Sequence, residues 1–325
     1  MQPMSRRSLI FAACLLVCFS AASQEPSPPS APAADTKDRP SSGEPAANPA
    51  SLDLTPDAQG KLSQEQMQTL FRVVADKDLE NDKRLRDYTY IEREVQNNLD
   101  GKGNKKSAEV KTFEILEIYG EQVQRLIEKN DKPLDAKESA KEEDKVQKII
   151  DKRKNESDEQ RRKREEKEIK ERGDGRKFVR EIADAYDFKL VGTELVGGRE
   201  AWVIDGEPHP GFQPQMKESK FLPKFHGRVW IDKDDLQLAK MDIEVLDRVS
   251  VGLVLARINK GTRFTLEQIR VNDEVWLPKQ VTYKVSARIA LLKGFNVDGE
   301  QMFRDYKKFR TSSKIVGVGE VAEQK

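Results

Sequence analysis

Residues 225–248 read FHGRVWIDKDDLQLAKMDIEVLDR, and residues 274–290 read EVWLPKQVTYKVSARIA. In the first stretch Met241, Ile243 and Val245 alternate with Lys240, Asp242 and Glu244. In the second, Val281, Tyr283, Val285, Ala287 and Ile289 alternate with Gln280, Thr282, Lys284, Ser286 and Arg288. A period of two with one apolar and one polar register marks an antiparallel strand that is dry on one face and wet on the other. Lys233-Asp234-Asp235 and Val271-Asn272-Asp273 supply the turns that make hairpins of these strands.

The same pattern extends in both directions. Residues 187–196 and 199–206 form a hairpin around Gly197-Gly198; residues 225–232 pair with 236–248, and 251–270 with 274–290. A last strand falls near 298–310. Upstream, strands are expected at 86–98 and 108–119 across the turn-rich loop Asn98–Asn104, and a third at 121–128. Apolar residues at Met67, Leu70, Phe71, Val74 and Leu79 place a helix over 64–80, and Phe178, Val179, Ile182 and Tyr186 place another over 176–186.

About nine or ten strands with few helices define a mainly β, α+β chain built on a curved antiparallel half-barrel sheet capped by short helices. The apolar concave face has to be covered, and whatever the helices leave open becomes a groove for a ligand. The residues singled out for it are Met241, Ile243, Val245, Phe264, Leu266, Tyr283, Val285 and Ile289. Plain core packing competes with ligand contact at each of them.

The chain has 325 residues, with 58 basic and 57 acidic side chains, so no global field recruits a polyanion. The charges are unevenly spread: 16 basic and 14 acidic groups fall within residues 135–177. This stretch is rich in helix formers and is read as one long charged helical insertion, 135–172, ended by Gly173-Asp174-Gly175. Val146, Ile149 and Ile150 give it a single apolar turn, and no heptad seam follows. Glu159, Glu165, Glu166 and Glu168 surround the cluster Arg161-Arg162-Lys163-Arg164, which argues against a nucleic-acid partner.

At the N-terminus, Arg6-Arg7, the apolar run to Phe19 and the small residues Ala21 and Ser23 read as a secretory signal over 1–23. Ser5-Arg6-Arg7-Ser8-Leu9 also resembles a twin-arginine signal, but the very apolar core that follows favours the general export route. Residues 24–55, rich in Pro, Ala and Ser, read as a disordered tether, and residues 313–325 as a C-terminal tail, leaving one domain over 56–312. Cys14 and Cys18 are the only cysteines and lie in the signal, so the exported domain has to be held by its core. No later run of ~18 apolar residues is present, and a periplasmic or secreted protein without a transmembrane segment is expected.

No nucleophile elbow, phosphate-binding loop or dinucleotide fingerprint occurs, so no catalytic residue is assigned and no enzyme is expected. His209 and His226 lack metal-ligand spacing, and Asp232, Asp234 and Asp235 lack the glycine and glutamate of a calcium loop. No metal or cofactor is expected.

The strand Gly227-Arg228-Val229-Trp230-Ile231-Asp232, its Asp-rich turn and Leu238–Ile243 resemble a hairpin of the LolA-like lipoprotein carriers. Val275-Trp276-Leu277-Pro278-Lys279-Gln280-Val281 is similar to the W-L-P strand of the same superfamily, which includes outer-membrane lipoprotein-sorting proteins and periplasmic sensors. The resemblance implies a helix-capped half-barrel that holds acyl chains. The tether, the charged insertion and the strand with Arg257, Lys260 and Arg263 depart from the carrier pattern. Two readings follow: a non-enzymatic binding protein for a lipid or acylated lipoprotein, or an envelope interaction or sensor module that docks through the 135–172 helix.

Overall fold

The computed structural model describes residues 53–119, 121–251, 256–289, 293–308, 313–317 and 320–323. The expected signal and nearly all of the expected tether lie outside them. The order of elements is α1 (Gln64–Leu85), β1 (Tyr88–Leu99), β2 (Lys105–Ile118), β3 (Glu121–Lys129), β4 (Lys132–Pro133), α2 (Ala136–Lys154) and α3 (Asp158–Ala185). Then come β5 (Tyr186–Val196), β6 (Arg199–Pro208), a 3-10 turn (Glu218–Lys224), β7 (Phe225–Asp232) and β8 (Leu238–Val245). The chain continues through β9 (Val249–Val251), β10 (Ala256–Ile258), β11 (Arg263–Val271), β12 (Val275–Ile289), β13 (Lys293–Lys308), β14 (Ser313–Gly317) and β15 (Glu320–Glu323).

Thirteen strands form one open antiparallel sheet in the order β4-β3-β2-β1-β13-β12-β11-β8-β7-β6-β5, with β10 joined to β12 and β9 to β10. β14 and β15 pair separately. The fold is the mainly β, α+β half-barrel read from the sequence. Two hairpin meanders, β5–β8 and β11–β13, meet where β8 pairs with β11, and β1–β4 join them where β1 pairs with β13.

Side chains in register share a face. The row Leu190, Ile204, Val229, Met241, Leu266, Val281 crosses six strands on one side, the side on which α1 lies. Three glycines let this inner face bend. Gly206, Gly227 and Gly299 each stand opposite a large neighbour: Phe188, Ile243 and Tyr283. A Cβ at Gly206 would lie 3.1 Å from the Phe188 ring, and one at Gly227 2.8 Å from Ile243 Cδ1. Strand glycines mark sharp bends and close approaches.

α1 begins at a capping box, with the Ser63 hydroxyl accepting from the Gln66 N–H and the Gln66 side chain returning to Ser63. Its Met67, Leu70, Phe71 and Val74 pack on Phe188, Ile204 and Ile231 of the inner face together with Val179 and Ala183 of α3. At its other end Leu85 joins Tyr88, Tyr90, Ile115, Val275 and Leu277. α1 therefore runs across the mouth of the half-barrel. The Asn81 side chain fixes it there, donating to the Trp276 carbonyl at 2.5 Å and accepting from the Trp276 N–H at 2.6 Å.

Two expectations need correction. The charged stretch is two helices, broken at Asn155–Ser157 where Ser157 and Gln160 form a second capping box; α3 continues through Gly173-Asp174-Gly175. Two helical glycines cost about 1 kcal/mol each, and the packing of Val179 and Ala183 downstream outweighs that. The expected strand 251–270 is divided as well. Asn259 and Thr262 form a turn, Gly261 has φ +79°, and its N–H donates to the Val245 carbonyl, so β11 starts only at Arg263.

Candidate functional site: the inner face

The register brings the residues expected on the ligand face together. Met241 opposes Leu266, which opposes Val281; Ile243 opposes Phe264, which opposes Tyr283. Val245 and Val285 continue the same rows on β8 and β12, and Ile289, of which only the backbone position is described, ends β12. Leu266, Val245 and Val285 are buried, whereas Met241, Ile243, Phe264 and Tyr283 are half-buried. Val245 packs with Phe225, Val249 and Ile258, and Val285 with Ala287 and Val297. Buried packing thus accounts for Leu266, Val245 and Val285, and the partly open surface consists of the other four.

Beyond Tyr283 the face changes character. Val281 opposes Gln301 on β13, and Gln301 opposes Glu94 on β1. Glu92, next in that row of β1, is 2% exposed; it accepts from the Gln124 and Gln301 side chains, each at 3.1 Å. Tyr283 is held over Gly299 and bonds to Glu94; burial, then the Glu94 charge and this hydrogen bond, push its hydroxyl up. Tyr306 is raised well above the ordinary tyrosine value by burial, then by Tyr90 and Glu92. Both phenols stay protonated donors at neutral pH. The inner face is therefore amphipathic, apolar on β8, β11 and β12 and carboxylate- and amide-bearing on β1 and β13. Glu92, Glu94, Gln124 and Gln301 went unselected in the sequence reading. Their only signal is the alternation Tyr88, Tyr90, Glu92, Glu94, which carries no information about which distant strand it will face.

The outer face explains the two motif strands. Asp232 is fully buried; it holds Arg199 through a bidentate pair at 2.6 and 2.8 Å and accepts from the backbone N–H groups of Asp234 and Asp235. Burial alone would raise this carboxyl, but Arg199 and the turn N–H groups outweigh it and hold it below the ordinary value. Trp276 donates to Asp235 at 2.9 Å and lies under Arg199, while Trp230 donates to Glu194 at 2.8 Å beneath Lys240. The aspartates thus fix a turn and an arginine, and both indoles anchor the sheet. His209 faces Asp187 and His226 faces Glu207, so the two imidazoles do not converge. Among the described residues no group of three metal-ligating side chains forms, and no helix is long and apolar enough to cross a membrane.

α2 uses its one apolar turn as expected: Val146 and Ile150 pack on Ile118 and Val123 at the outer face of β2 and β3. The first half of α3 is laced by pairs such as Lys163–Glu159 and Arg162–Glu166, and it carries Ile169 at 67% exposure.

No protein-family model matches the chain, and no curated protein does. Among solved structures the chain is similar to a putative outer membrane lipoprotein-sorting protein domain from Vibrio parahaemolyticus, at 11% identity over 74% of this chain and 92% of that one, with a TM-score of 0.33. It is also similar to a LolA superfamily protein from Nitrosomonas europaea, at 8% identity over 75% and 94%, with a TM-score of 0.28. A third likeness is to the Pseudomonas aeruginosa MucA/MucB complex, at 10% identity over 75% and 99%, with a TM-score of 0.20. Likenesses at these scores carry nothing about function, which has to rest on this chain's own inner face.

Proposed function

We propose that this is an exported, non-enzymatic binding protein that holds the acyl chain of a lipid or an acylated lipoprotein on the inner face of its half-barrel. The observation that carries the reading is the half-buried apolar surface of Met241, Ile243, Phe264 and Tyr283, which the register gathers on one face beside α1. Each methylene moved from water onto such a surface contributes about 0.8 kcal/mol, so a modest length of chain suffices for useful affinity. The carboxylate and amide row on β1 and β13 borders this surface and gives the polar end of an amphiphile hydrogen-bonding partners. Native mass spectrometry of gently purified protein, followed by titration with a fluorescent fatty acid, tests the reading. Bound lipid that is lost in Phe264→Asp supports it. A ligand-free protein that binds no fatty acid, or an F264D variant that binds equally well, refutes it.

The second reading, an envelope module docking through its charged helices, draws on the exposed first half of α3 with Ile169 at its surface. A pull-down with Ile169→Asp tests it: retention of every partner removes this role.

A further inference from the structure

The near parity of charge over the whole chain hides a corner of the sheet built from sequence without acidic residues. Residues 248–263 carry Arg248, Arg257, Lys260 and Arg263, and residues 284–297 carry Lys284, Arg288 and Lys293, with no Asp or Glu in either stretch. The sheet brings the two stretches side by side, because β9 pairs with β10 and β10 with β12.

The register sets the face. Ile258 opposes Ala287, and both are buried on the inner side, Ile258 with Val245 and Ala287 with Val285. Their neighbours Arg257 and Arg288 therefore oppose each other on the outer side, in a row between Ser250 on β9 and Gly294 on β13. Like charges directly opposite one another destabilise a sheet, and among the described residues neither guanidinium has an acidic partner. Lys260 is exposed on the turn after β10, which the Asn259 side chain fixes by donating to Ser286 Oγ at 3.0 Å. Arg248, just before β9, and Lys284, on the same face of β12 as Arg288, are exposed as well. The acids at the rim are engaged: Asp247 pairs with Lys224, Asp242 with Arg263, and Asp298 accepts from Asn97 at 2.8 Å. Glu244, opposite Arg263, marks where the patch ends.

We infer that this outer corner docks on a membrane surface rich in anionic phospholipid, whose phosphates take the place of the missing carboxylates. The guanidinium fork matches phosphate oxygens, and each basic residue held near an anionic leaflet adds to the attraction. The row Ser250, Arg257, Arg288, Gly294 offers no aromatic ring on which a base could stack, which favours lipid over single-stranded nucleic acid. The choice of a lipid surface also rests on the acyl-chain reading, since a protein that holds an acyl chain has to meet the membrane that supplies or receives it.

Flotation of the exported protein with vesicles of pure phosphatidylcholine, and with vesicles containing about 30% phosphatidylglycerol, tests the docking. Wild type should bind the anionic vesicles about tenfold more tightly or better, and lose this preference at about 1 M salt. The double variant Arg257→Gln, Arg288→Gln should bind them about tenfold more weakly, with thermal unfolding level or moved up because an opposed like-charged pair is gone. Arg161→Gln with Arg162→Gln, the same loss of charge on α3, should bind as wild type does. A folded Phe264→Asp variant should also bind the vesicles normally, so failure of the acyl-chain reading and failure of the docking surface give different results. The inference is overturned by wild type showing no preference for anionic vesicles, or by R257Q/R288Q binding as wild type does or losing stability along with binding. An equal loss in R161Q/R162Q or in folded F264D, or binding to single-stranded DNA in place of vesicles, overturns it too.

Discussion

Gly299→Ala tests the origin of the sheet's curvature. A Cβ at this position would lie 2.6 Å from the Tyr283 hydroxyl oxygen and 2.7 Å from Tyr283 Cζ, and it would also press on the Val95 carbonyl. The tyrosine can swing aside, but its hydrogen bond to the Glu94 carboxylate is then lost, which costs about 1.5–3 kcal/mol for a bond to a charged group. The Val95 carbonyl is backbone, and relieving it means parting β13 from β1, an overpacking cost of about 1–3 kcal/mol. We expect G299A to be destabilised by about 3–5 kcal/mol in urea unfolding followed by the fluorescence of Trp202, Trp230 and Trp276. Gly227→Ala should cost less, about 1 kcal/mol, because the end of a flexible isoleucine is what must yield. Gly294→Ala, with nothing within 4 Å of the new methyl, should be near neutral. Adding Tyr283→Leu to G299A should recover part of the loss in a double-mutant cycle. If G299A unfolds within about 0.5 kcal/mol of G294A, the cross-strand glycine account of the bend is wrong.

Three further outcomes are expected. Asn81→Ala strips both hydrogen bonds from the Trp276 backbone and should cost about 2 kcal/mol, with hydrogen exchange rising first in the second half of α1; unchanged exchange there would show that α1 is held by packing alone. The Asp232 carboxyl is depressed in the folded state, so its contribution is fully present above the unfolded value of about 3.9 and fades as pH falls through the lower folded value. Asp232→Asn should therefore lower stability near neutral pH and flatten its decline below about pH 4; parallel acid titrations of the two proteins would contradict the pairing. In α3, Ser157→Ala should destabilise the helix by about 1 kcal/mol, while Gly173→Ala and Gly175→Ala should each stabilise it by about 0.5–1 kcal/mol; opposite signs in helicity measurements would mean the helix is not continuous there.

The sheet was legible wherever one face is dry and the other wet. Over β7, β8 and β12 the alternation places the hairpins and their inner faces, because a slip by one residue would turn Met241 or Tyr283 into water. Where local chemistry competes, the pattern misleads. Gly173 and Gly175 look like a helix end, whereas the stop actually used is the quieter Ser157–Gln160 capping box. The site was half legible. Alternation selects the apolar rows of β8, β11 and β12, but the carboxylates of β1 reach them only through the pairing of β1 with β13 and β13 with β12. Glu94 and Tyr283 are far apart in sequence, and no local pattern encodes that meeting.

The place of β13 in the sheet also sets the order in which the protein can assemble. This strand, residues 293–308, lies between β1 and β12, so the first and last long strands of the big sheet are neighbours. A chain emerging from its N-terminus can close the β5–β8 hairpins early, yet β1–β4 have no seam to join until β13 arrives. Such long-range closure is slow, and the inner face stays exposed while it is awaited. The half-barrel is completed from its middle, by one of its last strands to be made.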